Sequence, residues 1–268
     1  MAEGFVMAAD SPARYISSGQ EEHLFAAAYE CRLPVMLTGP TGCGKTKFVE
    51  AMAHKLGRPL ITVACHDDLS AADLVGRYLL RDGQTVWFDG PLTRAVRTGA
   101  ICYLDEVVEA RQDTTVVLHP LADHRRELHI DRLGETLFAP AEFQLVVSYN
   151  PGYQSVLKDL KDSTRQRMVA ISMDFPDPSV EVRVLCQEAQ VTEEQAGQLV
   201  ALAVAIRRAG RQDLREVAST RALVSAARLM SAGVAPRVAA AAAITGPLSD
   251  EPAVRAGLQE LIDSYLAA

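Results

Sequence analysis

Residues 34–46 read PVMLTGPTGCGKT. A short apolar run stops at Gly39, two more glycines follow at 42 and 44, and a Lys-Thr pair closes the stretch. Just downstream, Phe48, Ala51, Met52 and Leu56 recur at helical spacing. A strand, a glycine-rich loop and a helix in this order fit the phosphate-loop pattern, which has meaning only in that context. Glycines let backbone N–H groups close around phosphate oxygens, and the helix N-terminus adds a favourable field. Gly39, Pro40, Thr41, Gly42, Cys43, Gly44, Lys45 and Thr46 are therefore the candidate nucleotide-binding residues. Lys45 is expected to reach the β and γ phosphates, and Thr46 to offer its hydroxyl to Mg²⁺. Cys43 is either a tolerated small residue or an oxidation switch.

The pattern continues on both sides of the loop. From 34 to about 175 short apolar runs alternate with helical patterns, the signature of a parallel sheet covered by helices. Five runs read as strands: PVMLTG (34–39), LITVAC (60–65), AICYLDE (100–106), FQLVVSYN (143–150) and MVAISMDF (168–175). Two insertions interrupt them. RYLLRDGQTVWF (77–88) carries an Asp82-Gly83 hairpin signal. RELHIDRLGETLFA (126–139) alternates around Gly134, with Leu128 and Ile130 on one face and His129 and Asp131 on the other. After Pro176 and Pro178 the periodicity turns helical. Thr192 with Gln195 fits a capping box. Leu199, Leu202, Ala203 and Ile206 form one stripe, and Leu223, Ala227, Met230 and Val234 another. The expected domains are an α/β nucleotide-binding domain over 1–177 and a helical domain over 178–268.

Strand ends supply the remaining candidates, because parallel strands point their C-terminal ends at one ligand crevice. Asp105 is expected to hold Mg²⁺ through its water shell, and Glu106 to polarise an attacking water, which favours hydrolysis over transfer to a small molecule. Asn150 ends the next strand, where it can orient that water or touch the γ-phosphate. STRQRM (163–168) places Arg165 and Arg167 before the last strand. An arginine supplied by a neighbouring molecule is worth about 10³–10⁵ in rate in phosphoryl transfer, so the placement implies a ring with active sites between subunits. Arg221, in STRAL (219–223), begins a helix of the small domain and can report the γ-phosphate to it. Trp87 and Phe88 either grip a substrate or pack the core of their hairpin.

The 268-residue composition, 49% hydrophobic, is that of a globular chain. The net charge of −7 disfavours wrapping nucleic acid. Five scattered cysteines without a CxxC pair read as reduced thiols of a cytoplasmic protein. His119, His124 and His129 read as surface residues. No apolar run reaches the roughly 18 residues of a membrane span, and the N-terminus has no basic–apolar leader pattern.

In this order the elements resemble the AAA+ ATPases over almost the whole chain. The two hairpins look like the helix-2 and pre-sensor-1 insertions of the MoxR group. LPVMLTGPTGCGKT, YLDEVVEARQDTTVVLHPLADHRR and VVSYNPGYQSVLKDLKDSTRQR look like the CbbQ/NorQ branch. Met168 departs from the phenylalanine usual there, which should alter packing and not chemistry. The resemblance implies an AAA+ core with a five-stranded parallel sheet and an all-α lid. It also implies ATP and Mg²⁺ as cofactors, a homohexameric ring, and a von Willebrand factor A-type adaptor. Rubisco is the expected client, to be reactivated from inhibition; nitric oxide reductase, to be matured, is the alternative. The resemblance does not tell which of Arg165 and Arg167 is the principal finger. Rival readings are a small-molecule P-loop kinase, a nucleic-acid motor, and a nucleotide-dependent structural ring with little turnover.

Overall fold

The structure, a computed structural model, describes residues 15–150, 162–209 and 217–267. The leader reading (1–14) and residues 151–161 of the run VVSYNPGYQSVLKDLKDSTRQR lie outside them. By compactness the chain forms two units. One carries the sheet and runs through Met173; the other begins at Asp174 and takes in the loop residues Pro40–Gly44.

All five expected strands form, each trimmed at its ends: β1 (Val35–Thr38), β2 (Leu60–Ala64), β5 (Ile101–Asp105), β8 (Gln144–Tyr149) and β9 (Val169–Ser172). They make one parallel sheet in the order β2-β5-β8-β1-β9. Strands buried on both faces read as near-continuous apolar runs, and β8 is buried at all six positions. Phe25, on the helix Glu21–Glu30, meets Phe48, on the helix Lys45–Lys55, edge to face at 5.5 Å. Leu92 and Val96 of the helix Pro91–Thr98 pack with Leu104, Val147 and Tyr149 of the sheet. Met168 lies partly buried against the same cluster.

Both insertions are antiparallel hairpins. In the first, β3 (Gly76–Arg81) pairs β4 (Gln84–Asp89), with Leu79 opposite Val86. Asp82 (φ 51°) and Gly83 (φ 77°) both adopt positive φ, as a two-residue type I′ turn demands. Trp87 rests edge-on against Tyr78 and donates its Nε1–H to Asp89 at 2.7 Å. Trp87 is thus packed within the hairpin, while Phe88, Leu79 and Leu80 are exposed. In the second, β6 (Glu127–Ile130) pairs β7 (Glu135–Phe138). Leu128 and Ile130 are buried and His129 exposed, as the alternation predicts. Arg126 anchors its base by donating to the carbonyls of Arg32, Pro140 and Phe143. Arg97 joins the two hairpins, donating Nε–H to Asp89 at 2.9 Å and both terminal nitrogens to Glu135.

The second unit is helical among its described residues. Thr192 and Gln195 form the expected capping box: the Thr192 N–H donates to Gln195 Oε1 (3.1 Å) and the Gln195 N–H to Thr192 Oγ1 (3.2 Å). Leu199, Leu202, Ala203 and Ile206 are buried along the helix Glu193–Ala209. The second stripe is shorter than expected. The helix Thr220–Ser231 stops because Gly233 turns left-handed (φ 92°), and Val234 bonds back to Leu229 instead of extending it.

A buried ion pair links three helices of this unit. Glu181, fully buried in the helix Pro178–Ala189, accepts two bonds from Arg207 (2.8 and 2.7 Å) and one from the Thr220 hydroxyl (2.6 Å). Arg207 Nε–H donates to the Ala218 carbonyl, and its guanidinium lies 3.9 Å from the Phe175 ring centroid. Removing one partner strands the other charge, which costs about 3–5 kcal/mol. Arg207→Ala should therefore lower the unfolding free energy by about that amount in urea titrations followed by circular dichroism. Replacing both partners, as in Glu181→Leu with Arg207→Met, should cost less than Arg207→Ala alone.

Candidate nucleotide and catalytic site

The loop leaves β1 at Thr38, turns through Gly42 (φ 75°) and Gly44 (φ 107°), and enters its helix at Lys45. These backbone angles are open to glycine and costly to other residues. The Lys45 side chain is buried, and its ammonium donates to the Gly39 carbonyl (2.8 Å) and to Asn150 Oδ1 (2.6 Å). Asn150 Nδ2–H in turn donates to Glu106 Oε1 at 3.3 Å. Only this orientation of the amide sets its oxygen against the ammonium and its NH₂ against the carboxylate. Lys45, Asn150 and Glu106, distant in sequence, thus form one chain of polar contacts.

Beside it, the Thr46 hydroxyl lies 3.3 Å from Asp105 Oδ2. A hydroxyl and a carboxylate oxygen side by side are hard donors, suited to Mg²⁺. That ion is commonly held by one or two protein oxygens together with phosphate oxygens and water. The residues present therefore fit a divalent metal carried in with a nucleotide. Asp105 Oδ1 is engaged elsewhere, by the hydroxyls of Ser148 (2.6 Å) and Tyr103 (2.7 Å). Burial, and then the Asp105 charge, push the Tyr103 phenol well above its ordinary range, so it is a hydrogen-bond donor here. The Glu106 backbone is left-handed (φ 55°, ψ 49°) and its N–H donates to Ser148 Oγ at 3.1 Å. A non-glycine residue held there costs about 1–3 kcal/mol, and such strain gathers at functional sites.

The arginines lie as follows. Arg165 ends the short helix Asp162–Arg165 and stands 5.9 Å over the Tyr149 ring. Arg167 donates to the Ser163 carbonyl at 2.6 Å. The turn carrying both is pinned by Thr164, buried, whose hydroxyl meets His119 Nε2 at 2.7 Å. His119 is therefore half-buried and bonded, not a surface residue, while His124 and His129 are exposed. Arg221 is the second residue of its helix and is exposed. Ser148 and Tyr103 escaped the sequence reading, because their partners depend on which strands are neighbours.

Comparison with known proteins agrees with this geometry. Residues 34–168 match the AAA domain (dynein-related subfamily) and residues 181–265 match the CbbQ/NirQ/NorQ C-terminal family. The chain is 59% identical to the denitrification regulatory protein NirQ of Stutzerimonas stutzeri, over 92% of this chain and 90% of the relative. It is 58% identical to protein NorQ of Paracoccus denitrificans, over 95% and 94%, and 53% identical to protein CbbQ of Hydrogenophilus thermoluteolus, over 94% and 95%. A crystal structure from Cytophaga hutchinsonii, described as that of an ATPase, shares the fold. Its TM-score is 0.52 at 16% identity, over 94% of this chain and 91% of that one.

The site's carboxylates also act on one thiol, Cys65, which in turn acts on Cys102. Burial first, then the Asp105 and Glu106 charges, push Cys65 up to about 12. Burial, with Cys65 nearby, pushes Cys102 up to about 12. A thiol whose folded value is raised favours the folded state below its unfolded value near 8.5, and that contribution fades as pH rises toward 12. Both thiols should stay unreactive to iodoacetamide in the native protein between pH 7 and 9, and become alkylated in denaturant. Native alkylation mapped to either residue by mass spectrometry would contradict this.

Proposed function

This chain belongs to the CbbQ/NirQ/NorQ family of AAA+ ATPases, and from that premise we propose that it is a Mg²⁺–ATP-driven ring motor that remodels a protein client. It is an ATPase whose family binds nucleotide with a divalent metal. The observation that carries the proposal is the polar chain Lys45–Asn150–Glu106 beside the Thr46–Asp105 pair. In this reading Gly39–Thr46 wrap the triphosphate and Lys45 offers its ammonium to the β and γ oxygens. Thr46 and Asp105 would hold a divalent metal, which would supply neutralisation of phosphate charge. Glu106 takes the proton of the water that attacks the γ-phosphorus as the bond to the β-phosphate oxygen breaks. Asn150 orients that water. A carboxylate base would serve a kinase as well, and it is the membership of an ATPase family that favours hydrolysis over transfer to a small molecule.

Arg165 or Arg167 completes the site of the neighbouring subunit in a homohexamer, and Arg221 couples nucleotide state to the helical unit. Among the described residues the two hairpins are the insertions on the core, and the family resemblance implies a von Willebrand factor A-type adaptor that selects the client. Exposed Phe88, Leu79 and Val86, on one face of the first hairpin, offer the apolar surface for that contact. Among the described residues no helix is long and apolar enough to cross a membrane; we place the motor in the cytoplasm, acting without nucleic acid. The client is inhibited Rubisco, with nitric oxide reductase as the second reading. The relatives named NirQ, NorQ and CbbQ align at 53–59% identity, which does not separate the two.

Glu106→Gln should hold ATP and lose nearly all hydrolysis, whereas Lys45→Ala should weaken nucleotide binding itself. Glu106→Gln subunits mixed with Arg165→Ala or Arg167→Ala subunits should recover some activity, because the two defects then fall on different interfaces. Confirmed mixed rings that recover nothing with either arginine variant would remove the trans role. For the client, the chain with its adaptor should restore carboxylation by sugar-phosphate-inhibited Rubisco only when ATP is present. No ATP-dependent recovery, with restored nitric oxide reductase maturation in a strain lacking this chain, would transfer the assignment to the second client.

A further inference from the structure

The Asp105 carboxylate is held asymmetrically, and the asymmetry has a definite source. Ser148 and Tyr103 are both fully buried. Pairing of β5 with β8 runs to Leu104 beside Val147, so the next step sets Asp105 beside Ser148. The Ser148 hydroxyl has one proton, and its acceptor at 2.6 Å is Asp105 Oδ1. The Tyr103 hydroxyl also has one proton; Asp105 Oδ1 at 2.7 Å is nearer than Ser148 Oγ at 3.1 Å. Two hydroxyl donors therefore converge on Oδ1. Oδ2 remains on the side of Thr46. The oxygen of Ser148 is meanwhile the acceptor for the Glu106 N–H.

We infer that Ser148 is a positioning residue for ATP hydrolysis, assisted by Tyr103. Its hydroxyl fixes which oxygen of Asp105 faces the metal, and through the Glu106 N–H it holds the water-activating residue in its left-handed conformation. One side chain thus sets two groups of the reaction at once, from a fully buried position. The inference rests on the roles given to Asp105 and Glu106 above. A purely structural role, in which buried hydroxyls satisfy one another, predicts lost stability with metal dependence unchanged.

The test uses the full chain with its adaptor and compares Ser148→Ala, Tyr103→Phe, Ser148→Thr and Glu106→Gln. Each of the first two deletes a single oxygen. Steady-state hydrolysis is measured across ATP and Mg²⁺ concentrations, and nucleotide binding with a fluorescent ATP analogue. Ser148→Ala should lower kcat by about tenfold to a hundredfold, the range expected for a lost bond to a charged group. The Mg²⁺ concentration for half-activation should rise by about tenfold, as when an outer partner of a metal ligand is removed. At saturating Mg²⁺ the KM for ATP should move by about threefold or less, since the remaining effect of the group falls on the transition state. Tyr103→Phe should shift metal dependence in the same direction, by less. Ser148→Thr, which keeps the hydroxyl, should restore kcat toward the parent value. Parent-like kcat and Mg²⁺ dependence in Ser148→Ala would overturn the inference, as would a stability loss without either shift. If Ser148→Ala does not fold, Tyr103→Phe decides: a Mg²⁺ shift supports the inference and none overturns it. Hydrolysis that persists in Glu106→Gln would instead overturn the underlying assignment, so the two failures are distinguishable.

Discussion

Parallel pairing of β1 with β8, and of β8 with β5, is the constraint on which the site depends. Val35 lies beside Val146 and Ile101 beside Gln144, so these strands end along one edge. Loop, acid pair and asparagine emerge there together because their strands are in register. A slip of one residue would turn every side chain on a strand to the opposite face. The register is secured by burial: β8 admits no exposed position, and any slip would exchange its buried contacts. Lys45 reaches Asn150 across 105 positions of sequence for no other reason.

Burial on this scale leaves polar groups with few options. Hydroxyls inside a sheet core must find partners or forfeit stability. Here they find them in the Asp105 carboxylate and the Glu106 N–H, so core satisfaction and site geometry are one arrangement. The helical unit solves the same problem with a complete charge pair. Glu181 receives three donors, one of them from Thr220, the residue before Arg221. The start of that helix is therefore fixed by a buried anion as well as by the Ser219 cap.

Much of this was legible in the residues alone. Apolar runs bounded by turn residues gave all five sheet strands, and Asp82-Gly83 gave the first hairpin. Strand limits were read too long because Gly39, Glu106 and Asn150 continue the strand in sequence but leave the ladder to turn toward the site. Val234 continued an apolar period that the backbone abandons at Gly233. Ser148, Tyr103 and the His119–Thr164 contact were not legible, since each depends on which strands or turns are neighbours. A polar residue inside an apolar run announces a buried partner without saying where it lies.

Arg97 gives the two hairpins a shared hinge point. Its guanidinium grips Asp89 at the root of one and Glu135 on the other, and Asp89 also receives Trp87. Separating the two hairpins would surrender bonds to the same cation. The arginine and Glu135 are each over a third exposed, which leaves the linkage open to mobile ions. Salt therefore weakens this link, and an exposed pair of this kind is worth at most about 1 kcal/mol.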